Sequence, residues 1–318
     1  MRVLFAGTPA VAVPSLDALL AAGLDIVGVL TRPDALVGRK RVLTPSPVAQ
    51  RAQELGLPII RAARIDQQAS AEIAALAPEV AAIVAYGALI PAEALVIPPL
   101  GWINLHFSLL PAWRGAAPVQ HSILHGDDVT GASTFALERG LDTGPVYGTL
   151  TESIRPTDTG SELLDRLSHS GAVLLVQTLS ALESGHANAQ PQRGEITLAP
   201  KLSIEDGRID WSEPALAIGR RIRAVTAEPG AWTMLADQRI KLGPVRLSPD
   251  SSPGADPAPE ANPTGLLPGR LAVGPKSVLV GTGSHPVELG HVQAAGKKTM
   301  QATDWARGLA DREDMVFQ

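Results

Sequence analysis

The sequence contains no cysteine among its 318 residues. Disulfide bonds, thiolate metal ligands and a cysteine nucleophile are therefore excluded. Long hydrophobic runs are also missing, because stretches such as AGLDIVGVL (22–30) and AAIVAY (81–86) are much shorter than the roughly 20 residues of a membrane-spanning helix. The chain begins with a predicted strand, MRVLFAG, and has no basic leader, so we expect no signal peptide. These absences predict a cytoplasmic protein without a membrane segment.

The sequence also lacks a dinucleotide-binding fingerprint and a metal-binding cluster. The first glycine turn, FAGTPAVAVPS, contains Gly7 alone, whereas a nicotinamide-binding turn has the pattern G-x-G-x-x-G. The histidines are scattered along the chain. His121 and His125 lie four residues apart on a predicted helix but have no third candidate ligand nearby. We therefore expect neither a nicotinamide cofactor nor a metal.

Charge of either sign is not in large excess. The formal net charge of −5 argues mildly against a nucleic-acid partner. Basic residues nevertheless cluster in GRKR (38–41), GRRIR (219–223) and GKK (296–298). Phosphates are neutralised by local patches, whatever the total charge of the chain. Each cluster taken alone is most often a solvated surface, so these patches need support from other features.

The pattern of hydrophobic residues divides the chain into two domains. Up to residue 187, short apolar strands alternate with helices, which predicts an α/β fold whose mostly parallel sheet is covered on both faces. A linker is predicted for 188–207. From 208 to 318, short strands separated by turn residues predict a small β-barrel or sandwich. Within it, SPDSSPGADPAPEANPTG (248–265) is expected to be a flexible surface loop.

One predicted strand, WINLH, carries polar residues at alternate positions. Asn104 and His106 share one face of this strand, while Ile103 and Leu105 occupy the other. The polar pair lies at the carboxyl end of the strand, where open parallel sheets bind ligands. An amide and an imidazole at that edge are therefore candidate functional groups.

A second candidate group is the carboxylate of Asp142 in the turn GLDTGPV (140–146). An aspartate in such a turn commonly binds its own backbone. The turn can also lie at the same sheet edge as His106, where Asp142 would fix the tautomer of the imidazole and favour its charged form. Ser108 is a rival nucleophile, but the strand-to-helix elbow G-x-S-x-G is absent. Asn104, charged His106 and Asp142 thus predict direct group transfer, with hydrogen bonds to the oxyanion of an attacked carbonyl.

The motifs INLHFSLLPAWRGAAPVQ (103–120) and GLDTGPV resemble those of the folate-dependent formyltransferases. The resemblance implies transfer of a formyl group from the co-substrate 10-formyltetrahydrofolate to an amine, without a metal. It also implies a Rossmann-like domain, a linker and an OB-like β-barrel. Within this family, RPDALVGRKRVLTPSPV (32–48), KLSIEDGRIDWS (201–212) and AGKKTM (295–300) resemble the members that act on initiator methionyl-tRNA. We expect this tRNA and the folate as partners of a monomeric protein.

The resemblance assigns roles to individual residues of this sequence. The implied catalytic residues are Asn104, His106 and Asp142. The implied folate-binding residues are Ser108, Leu109, Leu110, Pro111, Tyr86, Gly87, Ala88, Leu89 and Ile90. The implied tRNA-binding residues are Arg39, Lys40 and Arg41, which would contact the acceptor stem, together with Lys297 and Lys298 of the C-terminal domain.

Other functions remain open at the level of sequence. Phe107 stands where the family usually has glycine, and could either face the hydrophobic side or reshape the pocket. A formyltransferase for a small amine, a nucleotide sugar or glycinamide ribonucleotide is one alternative, and a formylfolate hydrolase is another. A small substrate needs neither the basic loop at 38–41 nor Lys297 and Lys298 of the C-terminal domain. A non-catalytic RNA-binding module is the third alternative, but it has no use for an oxyanion site.

Overall fold

The structure is a computed structural model that describes residues 1–38, 40–247, 265–309 and 315–318. It consists of two compact units. The first contains residues 1–118, 129–153 and 164–199, and the second contains residues 119–128, 154–163 and 200–318. The division between residues 199 and 200 lies inside the segment predicted as a linker. The Pro-rich stretch predicted as a loop, apart from Gly265, lies outside the described residues.

The strands and helices of the first unit alternate along the chain. The strands are β1 (Arg2–Gly7), β2 (Asp25–Thr31), β3 (Ala35–Val37), β4 (Val42–Thr44), β5 (Ile59–Arg61), β6 (Val80–Val84), β7 (Trp102–His106), β8 (Arg114–Gly115), β9 (Val129–Ala136), β10 (Val146–Ser153) and β11 (Leu198–Ala199). The helices are α1 (Val13–Ala21), α2 (Pro47–Glu54), α3 (Gln67–Ala75) and α4 (Ala92–Leu95), with a short 3-10 helix at Ala10–Ala12. Two helices extend into both units, α5 (Pro118–His125) and α6 (Gly160–Glu183).

Local sequence explains where these helices begin. Helix α2 starts after Ser46, whose hydroxyl accepts a hydrogen bond from the N–H of Ala49, and Pro47 occupies the first helical position. Helix α3 starts after Asp66, whose carboxylate accepts a hydrogen bond from the N–H of Ala69. These caps satisfy backbone donors that the first helical turn leaves unpaired.

The described residues of the first unit form a seven-stranded sheet in the order β10-β9-β7-β6-β1-β2-β5. The pairs β1/β2, β2/β5, β1/β6 and β6/β7 are parallel, whereas β7/β9 and β9/β10 are antiparallel. All residues of β6 are buried, as expected for a central strand covered on both faces. The prediction of an α/β fold with a mostly parallel, Rossmann-like sheet is confirmed.

The strand order reverses between β1 and β6, which makes their carboxyl ends a topological switch point. From β1 the chain adds strands on one side through β2 and β5, and then returns to add β6 and β7 on the other side. A crevice at such a reversal is where open α/β sheets bind ligands. The segment Tyr86–Ile90 follows β6 directly, and Asn104 and His106 lie on the neighbouring strand β7.

The basic stretch 32–48 contains a β-hairpin. Strands β3 and β4 pair antiparallel across a turn that includes Lys40 and Arg41. Leu36, Val37, Val42 and Leu43 are each more than half exposed on this hairpin. Because its strands have only three residues and no buried face, hydrophobic periodicity does not reveal them.

The second unit contains short antiparallel strands around one hydrophobic core. Its further elements are a 3-10 helix (Glu205–Gly207), α7 (Ala215–Ala224), β12 (Ala231–Leu235), β13 (Gln238–Leu242), β14 (Leu271–Val273), β15 (Val278–Val280), β16 (Val287–Glu288), β17 (His291–Ala294), β18 (Met300–Gln301) and α8 (Ala302–Arg307). In the described part, they form the sheets β12-β13-β17-β18 and β14-β15-β16. Ile222, Ile240 and Val280 are fully buried between them. A C-terminal domain of short antiparallel strands is confirmed, and its OB-like closure stays a prediction.

Candidate active site

Asn104 and His106 occupy alternate positions of β7, so their side chains leave the strand on the same face. Ile103 and Leu105, on the other face, are almost fully buried. Asn104 is half-buried, and within the described residues its amide has no hydrogen-bond partner in the protein. This amide is therefore available to donate hydrogen bonds to a ligand at the sheet edge.

The imidazole of His106 is held by a backbone carbonyl. Its Nε2 atom donates a hydrogen bond to the carbonyl oxygen of Trp113 across 2.9 Å. Since a carbonyl only accepts, Nε2 carries a proton, and in the neutral ring Nδ1 has the free lone pair. The ring also meets Phe135 edge to face, at 6.4 Å between centroids. The tautomer is thus set by Trp113 and not by Asp142, which is a correction to the sequence prediction.

Asp142 lies beside His106 but beyond hydrogen-bond distance. Its Oδ2 atom is 3.8 Å from Nδ1 of His106 and accepts a hydrogen bond of 2.7 Å from the N–H of Gly115. Asp142 has a positive φ of 50°, a conformation that aspartate tolerates better than most residues. The acidic turn and the imidazole are therefore brought together, as the sequence predicted for the same sheet edge.

Burial lowers the pKa of His106 below its ordinary value of 6.5. The nearby charge of Asp142 and the hydrogen bond to Trp113 raise the pKa, but by less than burial lowers it. The side chain is only 7% exposed, so little water remains to stabilise an imidazolium. Burial therefore favours the neutral ring, which is a correction to the expectation of a charged His106. Spacing in the sequence shows that a histidine ends a strand, but not how deeply its ring is buried.

The segment after β7 turns tightly and uses Ser108 as an internal support. The Ser108 hydroxyl is fully buried and donates a hydrogen bond of 2.5 Å to the carbonyl of Ala112. Ser133 donates to the Ser108 carbonyl and accepts from the N–H of Leu110. Ser108 is therefore not available as a nucleophile. Leu109 and Leu110 are partly exposed, Pro111 is buried, and Phe107 is 7% exposed, so its ring points into the hydrophobic interior.

The segment Tyr86–Ile90 crosses the carboxyl ends of β6 and β1. The Tyr86 ring is buried, and its hydroxyl donates to the carbonyl of Ala62. The carbonyls of Tyr86 and Gly87 accept hydrogen bonds from the hydroxyl of Thr8 and the guanidinium of Arg32. Leu89 is 86% exposed, and Ala88 and Ile90 are partly exposed. Main-chain groups fixed in this way beside β7 form one wall of the candidate site.

The basic residues predicted to bind tRNA are on the surface where they are described. Lys40 and Arg41 are exposed in the turn of the β3–β4 hairpin, and Arg39 lies outside the described residues. In the second unit, Lys297 and Lys298 are exposed in the turn between β17 and β18. Their role in tRNA binding stays a prediction.

Two residues of the predicted linker support the site and were missed by sequence reasoning. Thr197 accepts a hydrogen bond from the N–H of Trp113 through its hydroxyl, and Gln192 contacts both Arg114 and the Asp142 turn. Strands β8 and β11 pair in the same region. Weak periodicity and scattered turn residues concealed these contacts, and no local signal identifies them.

Gly115 is required where this segment meets the linker. Its φ is +128°, and an added Cβ would lie 2.5 Å from the carbonyl oxygen of Ala199. We expect Gly115→Ala to lower the free energy of unfolding by about 1–3 kcal/mol, because strain and clash combine. Denaturant titration measures this loss. Gly56→Ala is the control, since Gly56 has a φ of +67° but no atom within 4 Å of the added Cβ. An equal loss in both variants would contradict a steric role for the Ala199 contact.

The described ranges contain neither a metal-binding cluster nor a membrane-spanning helix. No group of three or more His, Cys, Asp or Glu side chains among these residues is arranged to hold a metal ion. Likewise, none of the described helices combines the length and the apolar character needed to cross a bilayer.

The fold and this set of side chains define a class of protein. An amide without a partner among the described residues, an imidazole and a carboxylate lie at the carboxyl edge of an open Rossmann-like sheet, beside its topological switch point. Such an arrangement is typical of an enzyme that transfers a group through attack on a carbonyl.

Comparison with known proteins identifies the family. The family model described as "Formyl transferase" matches residues 1–179, and "Formyl transferase, C-terminal domain" matches residues 201–310. This chain belongs to the formyl transferase family. Two proteins named methionyl-tRNA formyltransferase resemble it over their whole length, with 100% of both chains covered. The protein of Arthrobacter sp. (strain FB24) is 67% identical over 318 residues. The protein of Paenarthrobacter aurescens (strain TC1) is 66% identical over 318 residues.

Solved structures with lower identity share the fold. An N-formyltransferase from Helicobacter canadensis, in complex with folinic acid and dTDP-3-aminofucose, matches with a TM-score of 0.65 at 16% identity over 91% of this chain and 98% of that chain. HypX from Aquifex aeolicus, in complex with tetrahydrofolic acid, matches with a TM-score of 0.60 at 17% identity over 96% of this chain and 47% of that chain. This chain thus spans about half the length of HypX.

Proposed function

We propose that this protein transfers the formyl group of 10-formyltetrahydrofolate to the α-amine of methionine on initiator methionyl-tRNA. Full-length similarity to proteins named methionyl-tRNA formyltransferase supports the substrate pair. One observation carries the chemistry: Asn104, whose amide has no partner in the described part of the chain, shares a strand face with His106, and Nδ1 of His106 lies 3.8 Å from Oδ2 of Asp142. The protein would work in the cytoplasm, where charged tRNA is available.

The reaction begins when the neutral amine attacks the formyl carbon. A bond forms between the methionyl nitrogen and that carbon, and the formyl oxygen becomes negative. The Asn104 amide donates a hydrogen bond to this oxygen, and it gives up no hydrogen bond to a described residue to do so. Stabilisation is therefore available at the moment when charge develops.

His106 and Asp142 handle the proton that the amine must lose. Nδ1 of His106 is unprotonated, because Nε2 carries the proton donated to Trp113, so it can accept a proton from the attacking amine. The imidazolium that results is stabilised by the carboxylate of Asp142 at 3.8 Å. The same proton then passes to the folate nitrogen as its bond to the formyl carbon breaks. Formylmethionyl-tRNA and tetrahydrofolate leave, and His106 is neutral again.

The folate is proposed to bind along the switch point between β6 and β7. The backbone of Tyr86–Ile90 would hydrogen-bond the planar heterocycle. Leu109 and Leu110 would contact it from the other side, whereas Ser108 and Pro111 are buried and would only support this turn. Thr8 and Arg32 hold the first of these segments, and Ser133 holds the second. Because both segments are fixed by side chains of the first unit, the slot is largely formed before the folate binds.

The assignment is tested by incubating the protein with formylfolate and one of several amines. Charged initiator tRNA, free methioninamide and an amino-sugar nucleotide are compared, and formylated product is measured for each. We expect formylmethionyl-tRNA with a kcat/KM far above that of the small amines. Preferential formylation of a small amine, or release of formate without acceptor, would reject the proposal in favour of another formyltransferase or a hydrolase. Binding of tRNA without turnover would identify a non-catalytic RNA-binding protein.

The basic hairpin turn gives a separate prediction for tRNA. Replacing Arg39, Lys40 and Arg41 by glutamine should raise the KM for charged tRNA and leave the KM for formylfolate unchanged. The slope of log kcat/KM against log salt should become shallower by about 0.7–0.9 for each phosphate contact removed. The exposed Arg64 on the same unit serves as the control, through Arg64→Gln. An unchanged salt slope in the triple variant would contradict a role of this turn in binding tRNA.

A further inference from the structure

Gln192 connects two parts of the candidate active site through its side-chain amide. Its Oε1 accepts hydrogen bonds from Nε and a terminal nitrogen of Arg114, at 3.1 and 2.6 Å. Its Nε2 donates to the carbonyl oxygens of Asp142 and Gly144, at 2.7 and 2.8 Å. One amide thus joins the segment after β7 to the turn that carries Asp142.

The orientation of this amide is determined by its partners. A guanidinium can only donate hydrogen bonds and a carbonyl can only accept them. The oxygen of Gln192 must therefore face Arg114, and its nitrogen must face the turn. Both hydrogens of the amide nitrogen are used by the two carbonyls, so glutamine satisfies this arrangement and glutamate does not.

These contacts close a ring that fixes the Asp142 carboxylate. Arg114 binds Gln192, Gln192 binds the backbone of Asp142, and the Asp142 side chain accepts a hydrogen bond from Gly115, the residue after Arg114. Asp142 has a positive φ of 50°, a left-handed conformation whose modest cost for aspartate is offset by contacts with its neighbours. The two hydrogen bonds from Gln192 act on this part of the turn.

We propose that Gln192 is a positioning residue for the reaction, which keeps the Asp142 carboxylate beside the His106 imidazole. Gln192 contacts neither His106 nor the site of the carbonyl, and acts through Asp142. The inference rests on the proposed function for its effect on the rate, but its effect on His106 can be measured without substrate.

Two substitutions separate the contacts of Gln192. Gln192→Glu keeps the acceptor for Arg114 but sets a carboxylate oxygen against the carbonyls of Asp142 and Gly144. Gln192→Leu removes both sets of hydrogen bonds. Gln190→Leu is the matched control, because Gln190 is exposed two residues away and its side chain has no hydrogen bond among the described residues.

We expect both Gln192 variants to lose about 10- to 100-fold in kcat, since displacement of a supporting group by about 1 Å can cost this much. The KM for formylfolate should stay within about twofold, and Gln190→Leu should match the wild type. In the unliganded full chain, the imidazole nitrogens of His106 are titrated by NMR. The titration should move to lower pH in Gln192→Leu, because the carboxylate that raises the pKa of His106 has moved away. Gln192→Glu is judged by kcat alone, since its added negative charge itself raises the pKa of a nearby imidazole.

The proposal is overturned if Gln192→Glu keeps the wild-type kcat, or if kcat falls in Gln192→Leu while the His106 titration stays in place. The second result would make Gln192 a merely structural residue. If Gln192→Leu does not fold, Gln192→Met, which keeps the length of the side chain and adds no charge, replaces it in both measurements. If the wild type formylates no tRNA, the proposed function fails, but the titration of His106 still tests the positioning by Gln192.

Discussion

Asn104→Ala is expected to lower kcat for formyl transfer by about 10²–10³-fold, which corresponds to about 2.7–4 kcal/mol of barrier. The Asn104 amide has no hydrogen-bond partner within the described part of the protein, so its donors are available to the formyl oxygen. They matter most when that oxygen becomes negative, and the effect should therefore appear in kcat. Single-turnover formylation of charged initiator tRNA measures the loss directly.

The stability of the Asn104 variants serves as a control for folding. Because the Asn104 amide makes no hydrogen bond to the residues that the structure describes, Asn104→Ala should change the melting temperature little. Asn104→Asp keeps the shape but replaces the donor with an acceptor, so it should lose at least as much activity as alanine. Formylation by Asn104→Asp at the wild-type rate would contradict the oxyanion role of Asn104.

His106→Asn is expected to lower kcat by about 10²–10⁴-fold, the usual contribution of a general acid–base residue. Asparagine fills part of the buried space, which limits the cavity left by the ring. In the wild type, the base is the neutral imidazole, so activity is present above the pKa of His106 and is lost as the pH falls through it. Since burial holds this pKa below 6.5, the limb that belongs to His106 should lie below pH 6.5. It should be separate from the limb of the substrate amine, which must itself be neutral to attack.

Asp142→Asn tests the origin of that acidic limb. Asparagine can still accept the hydrogen bond from Gly115, but it removes the negative charge that raises the pKa of His106. The acidic limb should therefore move to lower pH, and kcat should fall because the imidazolium is no longer stabilised. Profiles of kcat against pH for the wild type, His106→Asn and Asp142→Asn measure these changes. If the limb below pH 6.5 is absent in the wild type, or stays in place in Asp142→Asn, the account is contradicted.

Sequence predicted those parts of the site that depend on local periodicity. The alternation of Asn104 and His106 on one strand requires only the two-residue repeat of a β-strand, and helical crossovers imply the parallel sheet. The turn of Asp142 was predicted to reach the same edge, and it lies beside His106. These features follow from short stretches of sequence whose pattern fixes the direction of each side chain.

The remaining features depend on contacts that are distant along the chain. Gln192 is 78 residues from Arg114 and 50 from Asp142, and it lies in a segment without periodicity. The carbonyl of Trp113, which sets the tautomer of His106, is a backbone group that every residue carries, so no sequence pattern identifies this contact. The charge of His106 was predicted wrongly because burial, a property of the whole fold, outweighs the neighbouring carboxylate.

The central claim is that a formyl oxygen lies beside Asn104 while the acceptor amine approaches His106. A crystal structure of the protein with a stable formyltetrahydrofolate analogue tests this most directly. We predict that the formyl oxygen lies about 3 Å from the Asn104 amide nitrogen, with the heterocycle against the backbone of Tyr86–Ile90. A folate bound with its formyl group away from Asn104, His106 and Asp142 would contradict the account.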